Sequence, residues 1–128
     1  MSRFGVFDIA GSALAAQSVR LNTTASNLAN ANNLTGSPDA VYRAKEPVFA
    51  SIDGGVRVQE VLEDQRDPQK LYQPGHPLAD AEGYVYAPNV NVVEEMVNMI
   101  SASRSYQSNV EVFNTTKDLA MRTLTLGK

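Results

Sequence analysis

The sequence predicts a mainly α protein with a small β insertion: long N- and C-terminal helices packed as a coiled-coil-like pair, with a β-hairpin-rich middle segment. Three observations predict it. An apolar seam at alternating spacings of three and four runs from Phe4 to Leu28, and a second runs from Val92 to Leu124. Between them, from Val41 to Ala87, the apolar residues form short strand-like runs broken by turn signals. The chain therefore divides into residues 1–36, 37–88 and 89–128.

In the first helix Phe4, Phe7, Gly11, Leu14, Ser18, Leu21, Ala25 and Leu28 share one seam, with Phe7, Leu14, Leu21 and Leu28 recurring every seven and smaller residues between. Its remaining face is Ser, Thr, Asn and Gln rather than Lys and Glu, so the helix expects neighbours on more than one side. Asn, Gly and Pro crowd residues 27–38 and end it, Asn being tolerant of left-handed backbone angles. Asn27 and Asn30 read as contacts to a neighbouring backbone, and Asn32 and Asn33 as caps.

The runs Tyr42–Ile52 and Val56–Leu62 flank Asp53-Gly54-Gly55, a hairpin signal. Pro47 demotes the first run to an edge or bulged strand, and the alternation slips at Val61-Leu62, where a bulge is expected. Further turn signals then divide the chain into loops around Leu71-Tyr72 and Tyr84-Val85-Tyr86.

The second long helix has Asn91 as its N-cap, Glu94 three residues on, and Glu94 and Glu95 against the positive end of its dipole. Its seam is Val92, Met96, Met99, Ser103, Tyr106, Val110, Phe113, Lys117, Ala120 and Leu124; Arg122 and Lys128 suit its other end, and Gly127 can stop it. Such a helix spans roughly 54 Å, more than the roughly 36 Å diameter of a compact chain of this length, so at least one end projects.

Charge excludes several classes of function. The net formal charge is -3. Residues 1–31 carry +1 and residues 89–128 balance, so the middle carries the acidity. Without a cluster of Lys and Arg, nucleic acid is not an expected partner. No run of about 18 apolar residues crosses a membrane, and Asp8 interrupts the only stretch resembling a secretory signal. The chain has no cysteine and a single histidine, His76, between Gly75 and Pro77, which reads as a turn residue.

No active site emerges. Zinc needs several His or Cys ligands, Glu63, Asp64 and Asp67 lack a glycine-centred calcium loop, and no lysine and hydroxyl follow Gly54-Gly55 as a phosphate loop requires. Asn22, Asn33 and Asn114 begin glycosylation triplets too short to carry weight. The expectation is no enzyme, no cofactor, no metal and no small-molecule substrate, but an elongated protein that assembles through its terminal helices.

The residues themselves resemble a family. Residues 7–17 (FDIAGSALAAQ), Arg20-Leu21-Asn22 and residues 25–31 (ASNLANA) are similar to the N-terminal signature of the bacterial flagellar rod, hook and filament-type axial proteins. Pro88-Asn89-Val90, Glu95-Met96-Val97 and residues 102–109 (ASRSYQSN) resemble the C-terminal signature of the rod members. The short length, residues 42–45, 72–75 and 78–81, and the closing TLTLG look most like the proximal rod members.

The resemblance implies export through the flagellar type III channel without a cleaved signal, and stacking into a helical drive shaft across the periplasm. It places both terminal helices in the rod core and the insertion outside. Implied partners are copies of the chain itself, other flagellar rod proteins, the membrane ring at the rod base and the export apparatus. The expected subunit-packing residues are Phe7, Leu14, Leu21, Asn27, Leu28, Asn30, Met96, Met99, Tyr106, Val110, Phe113 and Leu124. Terminal helices partly frayed in the free subunit would follow. A soluble helical adaptor or export chaperone would also show heptads but would form a discrete dimer, and a cell-wall hydrolase would need His76 and nearby carboxylates.

Overall fold

The computed structural model describes residues 3–127. Two helices dominate it: α1 (Arg3–Asn30) and α2 (Val92–Leu126), which pack antiparallel, with Phe7 against Phe113 towards one end and Asn27 against Glu95 towards the other. Asn91 caps α2 as expected, its side chain accepting from the Glu94 N–H at 3.1 Å. Gly127 ends the helix with φ at -81°, so no left-handed turn is used, and its N–H reaches back to the Thr123 carbonyl. Arg122 stands a turn earlier than the last one, where no base is found. Lys128 and the side chain of Phe4 lie outside what is described.

The exit from α1 also avoids left-handed residues: among the described residues only glycines have positive φ. The chain leaves through 3-10-type bonds, Ala31 N–H to Leu28 and Asn33 N–H to Asn30, then crosses to residue 35 and a short 3-10 turn at Pro38–Ala40, capped by Ser37.

β1 (Lys45–Ile52) and β2 (Gly55–Glu63) form the expected hairpin, turning through Asp53-Gly54. Its bulge lies elsewhere than the sequence suggests. Val48 pairs with Glu60 and Phe49 with Val58, leaving Gln59 as the extra residue, while Val61 and Leu62 keep register opposite Pro47 and Glu46. Val61 and Leu62 are both exposed, so no buried face imposes alternation on them. The two segments expected as loops pair instead: β3 (Gln69–Tyr72) runs antiparallel to β4 (Tyr84–Ala87), and Thr35 exchanges two 2.9 Å backbone bonds with Tyr86. Asp80 closes this second hairpin, accepting from the Glu82 and Tyr84 N–H groups and the Tyr86 hydroxyl. Four-residue strands are too short to show a period in sequence.

α1 has neighbours on two sides, α2 and the β1–β2 hairpin, which explains its lack of charge. The second neighbour comes from the same chain. The hairpin tip is pinned where the Ser12 hydroxyl donates to Ile9 O and accepts from the Val56 N–H at 3.0 Å. Gly55, with φ at 153°, presses on this point, and a Cβ there would overlap Ser12 Oγ. Gly55→Ala should therefore loosen the tip, costing about 1–3 kcal/mol by overpacking, read in urea denaturation.

The most buried positions of the two helices include small side chains. Ala10, Ala16 and Ala102 are fully buried, and on α2 the innermost positions Glu95, Ala102 and Thr116 recur at multiples of seven, with the half-buried Asn109 completing the row. This corrects the seam within the chain: Met99, Phe113 and Ala120 lie on or beside it, but Val92, Met96, Lys117 and Leu124 face outward. Helix axes approach most closely where side chains are small, so the internal seam follows alanine and threonine rather than the largest apolar groups.

Candidate assembly surfaces

The expected packing residues separate into an inner and an outer set. Phe7 and Phe113 meet edge to face, centroids 5.0 Å apart at 69°. Leu14, Leu28 and Met99 are half-buried. Leu21 and Val110, with Tyr106, line an open depression of about 450 Å³ on the helix pair. Met96 and Leu124 are exposed, Leu124 to 71%.

Asn27 is the joint of the molecule. It is 1% exposed and makes four hydrogen bonds. Its Oδ1 accepts from the Lys45 N–H at 2.9 Å and the Tyr42 hydroxyl at 2.8 Å, while Nδ2 donates to the Lys45 carbonyl at 2.9 Å and Glu95 Oε2 at 3.2 Å. Its amide thus pairs with the peptide at the start of β1 as a neighbouring strand would, and ties α1, β1 and α2 together. The side-chain hydrogen bonds of Asn30 are local: it donates to Ser26 O one turn back and accepts from Asn33 Nδ2.

Glu95 stands in the first turn of α2 as expected, and it is also buried beside Asn27, seven residues before Ala102 on the internal seam. Burial, opposed by the Asn27 hydrogen bond, pushes its carboxyl above the usual carboxylate range.

The polar side chains of the insertion bind one another and the nearby backbone. Arg66 grips Asp64 through Nε and Nη2 and holds that carboxyl below its ordinary value, while Arg43 donates to the Asp64 and Arg66 carbonyls. His76 Nδ1 accepts from the Leu78 N–H at 3.0 Å, the bond of a turn residue. Among the described residues no group of three or more His, Asp or Glu could hold a metal ion, and no helix is long and apolar enough to cross a membrane.

α2 leaves apolar side chains uncovered near both of its ends. Val93, Met96, Val97 and Ile100, at i, i+3, i+4 and i+7, form an exposed stripe near its start, and Leu119, Met121, Leu124 and Leu126 are exposed at its end.

Residues 7–36 match the flagella basal body rod protein family, and residues 81–126 match the C-terminal family of flagellar basal body rod FlgEFG proteins. The chain is 58% identical to the flagellar basal-body rod protein FlgC of Yersinia enterocolitica and 57% identical to that of Salmonella typhimurium, over the whole of both chains in each case. The FlgC of Buchnera aphidicola from Acyrthosiphon pisum is 43% identical, again over both full lengths. The chain belongs to the FlgC family of flagellar basal-body rod proteins. The two matched segments contain most of α1 and all of α2, so the family's signatures fall on the packed helix pair. Within the FlgC-like N-terminal stretch, Ser12 holds the hairpin tip and Asn27 holds the start of β1.

Proposed function

We propose that the chain is a structural subunit of the proximal flagellar rod, working by assembly alone, without catalysis or cofactor. The observation that carries this is similarity to FlgC proteins along the entire chain, combined with a helix pair that leaves large apolar side chains of α2 exposed near both ends. Copies of the chain and other rod proteins cover the exposed face of α2 and the depression lined by Leu21 and Val110. The helix pair lies in the rod core, the β hairpins face outward, and the membrane ring at the rod base is a further neighbour. The chain reaches the rod through the flagellar export apparatus with its N-terminus uncleaved.

Deleting the gene tests this. Loss of swimming, restored by the intact chain, and recovery of the chain in detergent-extracted basal bodies are expected. A soluble dimer that never enters basal bodies would favour an adaptor. The end of α2 should exchange its amide hydrogens quickly in the free subunit and slowly in rods, because Leu119 to Leu126 lack partners in the monomer.

A further inference from the structure

α2 carries two unmatched features. The first is its projecting end. Phe7 faces Phe113, and counting four residues back along α1 to Arg3 carries the facing position to Lys117. Among the described residues the stretch from Asp118 to Leu126, about 14 Å of helix, therefore has no α1 beside it. Met121, Arg122, Thr125 and Leu126 share one face of this end, where two exposed apolar side chains stand with a base. The second feature is the open depression of about 450 Å³ further back on the helix pair. Leu21, Tyr106 and Val110 give it apolar walls, and Glu111 brings a carboxylate to its lining. Among the described residues neither Glu111 nor Arg122 has an ion-pair partner within the subunit.

The two features match in kind: an apolar face with a base, and an apolar hollow with an acid. Burial of the large side chains favours the contact, while an Arg–Glu pair at its rim fixes register and orientation more than affinity. They cannot meet within one subunit. Glu111 and Arg122 stand about 17 Å apart along the same unbroken helix, which does not fold back on itself. Contact between unlike patches of identical chains is head-to-tail, and it passes from copy to copy instead of closing as a dimer. A different protein would fill one patch and leave the other wet; a row of copies fills both.

We propose that the end of α2 of one copy, through Met121, Arg122, Thr125 and Leu126, docks in the depression lined by Leu21, Tyr106 and Val110 of a second copy, with Arg122 paired to Glu111. The proposal rests on the rod-subunit reading, and it names the neighbour and the register of one contact in the rod.

The chain has no cysteine, so a pair of introduced thiols reports this contact alone. Gln107→Cys places one at the depression and Thr125→Cys one on the docking face; both positions are exposed, so the unfolding midpoint should not change. In basal bodies treated with a short bismaleimide, the chain carrying both substitutions should form a ladder of dimers and higher multimers. Each single variant should stay monomeric, and the two single variants expressed together should stop at dimers. Charge reversal is the second measurement. As the sole copy in the cell, Glu111→Arg sets base against base and should lower recovery of the chain in basal bodies at least about tenfold. Arg122→Glu should do the same, and the two together should return recovery to within about twofold of wild type. Residues serving only the fold of their own subunit would not rescue one another. Dimers from a single variant, an adduct with a chain of another mass in place of the ladder, or a double charge reversal no better than its singles overturns the proposal. If wild-type chain is itself absent from basal bodies, the rod reading fails and the proposal falls with it; chain present in basal bodies without the cross-link refutes this contact alone.

Discussion

Asn27→Ala is expected to cost about 3–5 kcal/mol, the summed desolvation of two or more partners left unpaired at about 1–3 kcal/mol each. The Lys45 N–H and carbonyl and Glu95 all lose their bond to the amide, while Tyr42 keeps Ser26 at 2.8 Å. Asn27 is itself buried at the junction of α1, β1 and α2. For a chain of this size the melting temperature should fall by roughly 10–25 °C. Asn27→Asp should be worse at neutral pH than its shape suggests, since it replaces the donor with a second carboxylate facing Glu95 and the Lys45 carbonyl. Thermal and urea denaturation of the three proteins checks this. A change under about 1 kcal/mol for Asn27→Ala would mean that the joint is not holding the elements together.

Val97→Asp is expected to leave the monomer intact and abolish swimming. Val97 is 59% exposed at the centre of the outer stripe, so a charge there disturbs nothing inside the subunit, and the melting midpoint should stay within about 0.5 kcal/mol of wild type. In an assembled rod the same carboxylate would be buried against an apolar neighbour with no partner, a penalty of several kcal/mol repeated at every subunit. Basal bodies should then lack the rod. Wild-type swimming by this variant would remove the stripe from the assembly surface.

The long periodic elements were legible in the sequence because their signals are repeated many times: both helices, the Asn91 cap and the Asp53-Gly54 turn stand where the residues predict. The internal seam was legible only in part. A heptad of large apolar residues can face a partner chain as well as the same chain, and hydrophobicity does not distinguish them. The fully buried alanines of the two helices are Ala10, Ala16 and Ala102, while Met96 and Leu124 are left outside. Glu95 was illegible for a related reason: a carboxylate near a helix start has a ready explanation in the dipole, and its burial depends on Asn27, 68 residues away. The β3–β4 pair depends on contacts between Asp80, Tyr84 and Tyr86 that no short period encodes.

Electron cryo-microscopy of basal bodies carrying a small tag inserted after Gly75 tests the placement most directly. Gly75 is exposed in the loop between β3 and β4, with no atom within 4 Å of a Cβ added there, so the insertion leaves the helix pair and the β1–β2 hairpin undisturbed. The account predicts normal rods with tag density on the outer surface of the lower rod, and density for α1 and α2 in its inner wall. Normal rods with tag density in the lumen, or with none at all, would contradict it.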